Sequence, residues 1–190
     1  MLIAGNPVLK REILHIFRQP ASAVMLGAFV CGLGLITFLF WPHSGIYSLS
    51  AQASRMLFTV FSLSQTAFIL VFAPAVAAPS ITAEKENGTF DLLFAAPLPP
   101  GAVATAKAVS AISFPAVLLV VSLPYAALCM SLGGFGFQDI AAAYAVLAAT
   151  ALVCALGGLT ISSLSGSSYA SLILTYTAVL CLCLAPLLPS

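Results

Sequence analysis

Residues 21–41 read ASAVMLGAFVCGLGLITFLFW, a stretch without a single charged side chain. An α-helix needs about 20 consecutive apolar residues to cross the hydrocarbon core of a bilayer. Backbone N–H and C=O groups find no water there, so a helix, which pairs them internally, is the expected structure. The stretch predicts a membrane-spanning helix, and the rest of the chain repeats its pattern.

The composition of the whole chain agrees with this interpretation. Of its 190 residues, 62% are hydrophobic and 6% are charged. A soluble domain averages about 45–50% apolar and about 25% charged residues. Too few polar side chains are present to cover a surface that faces water, and a disordered chain would be poor in apolar residues. The net charge of +1 and the absence of a basic stripe give no indication of a nucleic-acid partner.

Long gaps without charge separate the few charged residues and give the number of spans. The gaps cover 19–54, 56–83, 108–138 and 140–190. The first three hold one span each, and the last has room for two spans and a turn. We therefore predict an all-α, polytopic membrane helix bundle in which 1–190 form a single domain. Its five transmembrane helices are expected near 21–41, 56–78, 106–130, 140–161 and 168–188.

The N-terminal residues 6–19, NPVLKREILHIFRQ, have the pattern of an amphipathic helix. Leu9, Ile13, Ile16 and Phe17 share one face, and the basic side chains lie largely off it. Such a helix lies in the plane of the membrane interface. We predict an interfacial elbow helix over 6–19; the alternative is a plain extension of the first span.

The distribution of Lys and Arg predicts the orientation in the membrane. With the N-terminus in the cytoplasm, five basic residues lie inside and only Arg55 lies outside. This predicts a multi-pass protein of the cytoplasmic (inner) membrane with a cytoplasmic N-terminus. Five spans then place Ser190 outside, whereas a re-entrant segment within 140–190 would return it to the cytoplasm.

The largest inner segment covers 79–105 and precedes the third span. Thr89 can cap a short helix, Asp91 suits its first turn, and Pro97 requires it to end. We predict this helix near 90–95. The preceding run Glu84-Lys85-Glu86 is by default a solvated face.

A regular stripe of side chains marks the second span. Its members are spaced by three and four residues and carry one amide near the middle: Phe58, Phe61, Gln65, Phe68 and Phe72. Packing against a neighbouring helix or lipid is the simpler interpretation. The alternative is a face toward a substrate path or a partner subunit.

A second series has small residues spaced by four: Gly158, Ser162, Gly166 and Ala170. In one continuous helix they would form a close-packing face. Two spans must fit within 140–190, so a turn at 162–168 is the preferred interpretation.

No residue pattern for chemistry is found. The sequence has no phosphate-binding G-x-x-x-x-G-K-[ST] loop and no metal-ligand spacing. Apart from Lys107 at the start of the third span, no predicted span holds an acidic or basic residue, and none holds a serine–histidine pair or a carboxylate pair. We predict that the chain is not an enzyme and binds no cofactor or metal.

Three stretches together are similar to a known family. They are NPVLKREILHIFRQP at 6–20, TAEKENGTFDLLFAAPLPPGAVATAK at 82–107 and the Ala/Gly-rich run into SSLSGSSYA at 153–170. The chain resembles the type-2 ABC transporter permease family over its whole length. The family pattern has an elbow helix, two spans, a cytoplasmic coupling helix and further spans. It usually has six spans, so the last one is missing from the five found here.

The resemblance implies a permease subunit that pairs with a second permease, as a homo- or heterodimer, and with cytoplasmic ATPase subunits that hold ATP and Mg²⁺. It implies ATP-driven export by alternating access, and the uncharged spans favour a lipophilic or amphipathic substrate. The residues that match the family's ATPase-coupling segment are Glu84, Glu86, Gly88, Thr89, Asp91, Leu92, Leu93 and Pro97. Lys107 matches the basic residue that opens the third span.

Two other functions stay open at this point. One is a membrane assembly or scaffold protein without transport, for example in cytochrome or metalloenzyme maturation. The other is a lipid-modifying membrane enzyme, which the missing polar clusters count against.

Overall fold

The computed structural model describes residues 14, 16–40, 51–88, 100–131 and 136–185. Within these ranges all regular elements are α-helices. In chain order they are α1 (Pro20–Leu39), α2 (Ala51–Ala77), α3 (Pro79–Glu86), α4 (Pro100–Ser131), α5 (Phe137–Leu164) and α6 (Ser168–Leu184). The predicted all-α, polytopic bundle is confirmed.

Five of these helices correspond to the predicted spans. Four stretches are long and apolar enough to cross a membrane: α1, α2 together with α3, α4 and α5. The fifth, α6, has 17 residues in the described part of the chain. That length lies at the lower end of the range of about 17–25 residues seen for spanning helices.

The helix α6 packs along the final part of α2. Ser171 donates its hydroxyl to the Ala78 carbonyl, and further along α6 the Tyr176 hydroxyl donates to the Val71 carbonyl at 2.6 Å. Val179 packs against the core cluster that includes Ile69. Because successive residues of α6 meet earlier and earlier residues of α2, α6 runs antiparallel to α2 toward the far end of the bundle.

The helix α3 was not predicted, because the only helix expected within the inner segment 79–105 was the short one near 90–95. Proline is well suited to the first position of a helix, where its missing N–H is not needed. Ala78 keeps helical dihedral angles, φ −62° and ψ −41°, so α3 continues almost directly from α2. The combined stretch Arg55–Glu86 has 32 residues. At 1.5 Å per residue it measures about 48 Å, so its last turns extend beyond a core of about 30 Å.

The sequence predicts that Pro99 and Pro100 start the third span, whose apolar part is expected near 106–130. The helix α4 begins at Pro100, which occupies the first helical position. As a result, Lys107 lies in the second turn of α4 and is only 5% exposed. The place of Lys107 at the opening of the third span was predicted, and its burial was not.

The predicted turn between the fourth and fifth spans is present. The helix α5 ends at Leu164, and Ser167 caps α6 by accepting a hydrogen bond from the Ala170 N–H. The series of small residues is thus split between two helices. Its first two members still lie at close contacts, because Gly158 and Ser162 face the junction of α2 and α3.

The core forms where α2 packs against α4 and α5. One cluster joins α1, α2 and α4 through Phe29, Leu33, Phe61, Phe114 and Leu118, among others. Two smaller clusters, centred on Ile69 and Ala77, join α2 to α5 and α4. One face of α2 is therefore packed against the chain's own helices, while Met56, Leu63 and Val71 on its other side are exposed.

Gly158 allows α5 to approach the end of α2 closely, which leads to a test of packing. A Cβ atom added at Gly158 would lie 2.9 Å from the Ala77 Cβ, whereas one added at Gly157 would meet nothing within 4 Å. We expect Gly158→Ala to destabilise the protein by about 1–3 kcal/mol through overpacking. Gly157→Ala, the matched control, should be neutral or stabilising by up to about 1 kcal/mol. Thermal unfolding in detergent compares the two, and equal midpoints would contradict the predicted close packing.

Two predicted elements lie largely or wholly outside the described residues. The elbow helix over 6–19 is described only at Leu14 and from residue 16 on, where Ile16, Phe17 and Arg18 are helical. The Phe17 ring lies 6.3 Å from the Phe114 ring of α4, centroid to centroid. The short helix predicted near 90–95 lies entirely outside the described residues.

Candidate functional site

Five of the seven charged residues in the described ranges lie at one end of the bundle, which we call the charged end; Arg55 and Asp139 lie at the other end. The charged end contains the start of α1, the helix α3, the start of α4 and the turn between α5 and α6. Three consecutive residues of α3, Glu84, Lys85 and Glu86, lie at its centre, and we call them the charge triplet. The sequence suggested a solvated face; the structure instead gives each residue a partner on a different helix.

Glu84 pairs with Lys107 of α4. The Lys107 ammonium donates to the Glu84 Oε1 at 2.8 Å and to the Ser80 carbonyl at 2.9 Å. The Lys107 side chain is 6% exposed and that of Glu84 is 24% exposed. A buried charge is tolerated only when it is paired, so this contact fixes the position of α3 against the start of α4.

Lys85 binds the C-terminal end of α5. Its ammonium donates to the carbonyl of Ser163 at 2.7 Å and to that of Ser165 at 3.0 Å. The last carbonyls of a helix have no partner within it and carry partial negative charge. A cation at this position satisfies two of those carbonyls and favours the dipole of α5.

Glu86 binds the N-terminal end of α6. Its carboxylate accepts from the Ser168 N–H and from the Ser168 hydroxyl, both at 2.7 Å. These two donors hold the pKa of the Glu86 carboxyl below its ordinary value. Because a helix N-terminus carries partial positive charge, the acidic residue is placed favourably.

The N-terminal end of α3 is held by hydroxyl groups from the other helices. The Ser162 hydroxyl of α5 accepts from the N–H groups of Ile81 and Thr82, at 3.1 and 3.2 Å. The Ser171 hydroxyl of α6 donates to the Ala78 carbonyl at 2.8 Å. Ser162, Thr82 and Ser171 are all buried, so these bonds are shielded from water. Both ends of α3 are therefore bound to α5 and α6.

Gly88 ends α3 in a left-handed conformation with φ of 67°, which a residue with a Cβ rarely adopts. The Gly88 N–H donates to the Lys85 carbonyl at 3.2 Å. The chain then enters 89–99, outside the described residues. Five of the predicted coupling residues fall there: Thr89, Asp91, Leu92, Leu93 and Pro97.

A pocket of about 440 Å³ opens beside the Glu84–Lys107 pair. Its walls come from the start of α1, the end of α2, α3 and α4, and they include Met25, Val76 and Asn87. The pocket combines apolar walls with a polar end. A second groove of about 370 Å³ lies between α2, α5 and α6 and is lined almost entirely by apolar side chains.

The phenylalanine stripe of α2 packs inside the chain. Phe61 is 1% exposed, and Phe58, Phe68 and Phe72 are half-buried against the same cluster. The Phe68 ring meets the Phe29 ring of α1 edge to face, with centroids 5.5 Å apart. All of these rings contact helices of the same chain. A role for the stripe in a substrate path or at a subunit interface stays a prediction.

Gln65, the one amide of this stripe, has a polar partner on a neighbouring helix. Its side chain is fully buried, and its amide nitrogen donates to the Ser122 hydroxyl of α4. The Ser122 oxygen also lies 2.8 Å from the Tyr144 hydroxyl of α5. The three side chains form what we call the polar cluster, which joins α2, α4 and α5. Among the described residues the Gln65 amide oxygen has no hydrogen-bond partner.

Comparison with known families agrees with this architecture. A sequence model of the ABC-2 type transporter family matches residues 7–188, nearly the whole chain. The chain belongs to the ABC-2 type transporter family. No curated protein and no solved structure matches it. As a member of this family it is an ABC transporter permease, a transport component of the membrane and not itself a catalyst. Within the described residues no group of side chains could hold a metal ion.

Several contacts of this ABC-2 permease were missed at the level of sequence. The sequence does not mark the hydroxyl groups that make these contacts, because single hydroxyls in an apolar helix are common and usually bond their own backbone. The residues concerned are Ser122, Tyr144, Ser162 and Ser168. The spacing of small residues did single out Ser162, but as a packing residue. Its role as an acceptor for the N–H groups of α3 depends on where α3 lies.

The polar cluster leads to a second test of stability. Ser122→Ala leaves the Gln65 amide nitrogen and the Tyr144 hydroxyl without their shared partner, so we expect a loss of about 1–2 kcal/mol. Ser113→Ala is the matched control on the same helix, since the Ser113 hydroxyl bonds only the Ser110 carbonyl. Unfolding midpoints in detergent compare the two. A larger loss in the control would refute the assigned role of Ser122.

Proposed function

We propose that the chain is the membrane subunit of an ATP-driven exporter. A separate cytoplasmic ATPase binds ATP and Mg²⁺, and this chain couples ATP hydrolysis to the movement of a lipophilic or amphipathic substrate. A second permease subunit completes the transporter. The observation that carries the proposal is the family match over residues 7–188.

The sequence and the arrangement of the helices support this function. These 190 residues contain no phosphate-binding loop, which favours ATP hydrolysis outside them. The segment 89–97 follows α3 directly in the chain, and it resembles the family's ATPase-coupling segment. The distribution of Lys and Arg favours an orientation in which the charged end faces the cytoplasm, where ATP is available. The membrane is then the cytoplasmic (inner) membrane. The spans are largely uncharged, which favours a lipophilic or amphipathic substrate.

Co-expression with candidate ABC ATPases from the same genome tests the function. We expect the ATPase to co-purify with the permease in mild detergent and its hydrolysis rate to change when both are reconstituted in nanodiscs. The permease alone should show no saturable ATP binding in equilibrium dialysis. Saturable binding would contradict the proposal, and a permease that carries no ATPase would favour the assembly or scaffold function instead.

A further inference from the structure

We propose that the charge triplet is an internal clamp which makes α3 move as one body with the ends of α4, α5 and α6. Glu84, Lys85 and Glu86 are positioning residues for coupling in this view, and they are not part of the surface that binds the ATPase. The inference rests on the proposed function for its consequence and on contacts within the chain for its geometry.

The geometry of α3 explains how three neighbours reach three different helices. Consecutive side chains on an α-helix point about 100° apart. The three residues therefore point in separate directions, Glu84 to α4, Lys85 to the end of α5 and Glu86 to the start of α6. A solvated face would not show such a match between side-chain direction and partner.

The signs of the charges match their partners in each case. Glu84 meets an ammonium group, Lys85 meets the carbonyl end of a helix, and Glu86 meets the N–H end of a helix. Charge-assisted hydrogen bonds of this kind are shorter and about twice as strong as neutral ones. Exchanging Lys85 and Glu86 would place each charge against the wrong end of a helix dipole.

The contacts at the other end of α3 make the clamp rigid. Ser162 and Ser171 bind its first turn, and the charge triplet binds its last turn. A short helix held at both ends cannot rotate or slide without moving its partners. A displacement of the segment that follows Gly88 would therefore reach the ends of α4, α5 and α6 through α3.

The same contacts reassign two residues of the predicted coupling segment. The Glu84 carboxylate is largely buried in its pair with Lys107, and both carboxylate oxygens of Glu86, whose side chain is exposed, accept from Ser168. We therefore assign ATPase binding to residues 89–97. The resemblance placed both carboxylates in the docking segment. The clamp instead gives them a role in transmitting the motion.

The first arm of the test uses the permease alone in nanodiscs, so it does not depend on the ATPase. Glu86→Gln keeps the shape of the side chain and removes its charge. We expect hydrogen exchange of the peptide that covers 168–175 to become about tenfold faster, as for the loss of charge-assisted bonds. Asp139→Asn is the matched control, since Asp139 accepts from the Gly136 N–H at the opposite end of the bundle. Unchanged exchange at 168–175 in Glu86→Gln would overturn the clamp.

The second arm uses the permease with its ATPase. Lys85→Met and Glu86→Gln should bind the ATPase as the unsubstituted protein does and should lose the permease-dependent change in hydrolysis rate. Loss of ATPase binding would show that the triplet is a docking surface, and an unaltered hydrolysis response would show that it does not couple. If the unsubstituted permease binds no ATPase, the proposed function fails while the exchange measurement still decides on the clamp.

A covalent cross-link replaces the Glu86–Ser168 contact and controls for misfolding. Glu86→Cys with Ser168→Cys, in a background without the five native cysteines, should be joined by a short, reducible bis-methanethiosulfonate linker between α3 and α6. We expect the cross-linked protein to keep the hydrolysis response and the reduced protein to lose it. The opposite result would mean that α3 and α6 must separate during the cycle, which would overturn the proposal.

Discussion

Lys107→Met is expected to destabilise the permease by about 2–4 kcal/mol. Breaking a buried ion pair costs roughly 3–5 kcal/mol, because one charge stays buried without its partner, and the partial exposure of Glu84 lowers that figure. The substitution also removes the hydrogen bond that the Lys107 ammonium donates to the Ser80 carbonyl. Thermal or denaturant unfolding of the protein in detergent measures the loss.

Two further variants make the cause of that loss testable. Glu84→Gln combined with Lys107→Met removes both charges and should recover much of the stability, because no uncompensated carboxylate stays buried. Lys85→Met should cost less than about 1 kcal/mol, since its ammonium lies at an exposed helix end. If the double variant is as unstable as Lys107→Met alone, the unpaired Glu84 carboxylate is not the cause.

Replacing residues 89–96 with a Gly/Ser segment of the same length is expected to abolish co-purification of the ATPase. The replacement keeps Gly88, which ends α3, and Pro100, which begins α4, so the bundle should still fold and insert. The measured quantity is the amount of ATPase retained on the affinity-purified permease, beside the unfolding midpoint of the permease. Thr89→Ala alone should act more mildly, since losing a helix cap costs about 0.5–2 kcal/mol.

The matched control for the replacement is an equal Gly/Ser exchange at 42–49, between the first and second spans. By the predicted orientation this segment lies on the outer side, so ATPase retention should not change. Full retention after the exchange at 89–96 would contradict the docking role of the segment. Loss of retention in both variants, with lowered unfolding midpoints, would point to a general folding defect.

The sequence by itself determined that this protein is a bundle of membrane helices and where most of its spans lie. The reason is physical: a bilayer requires long apolar stretches with internal hydrogen bonds, and the gaps between charged residues show those stretches directly. The spacing of the stripe also marked the inward face of α2. The start of α3 was missed, since a proline can begin a helix as well as end one, as Pro79 does.

Only the tertiary structure decided which polar groups meet. Glu86 and Ser168 are separated by 82 positions in the chain, so no local sequence pattern could reveal that they pair. Gln65 in an apolar helix likewise indicates that a polar partner is needed, but the sequence does not show that this partner is Ser122. A buried charge or amide must find a complementary group, but which group it finds depends on how neighbouring helices pack and turn. The charge triplet therefore reads as a solvated run in the sequence and becomes a junction of four helices once α4, α5 and α6 lie around α3.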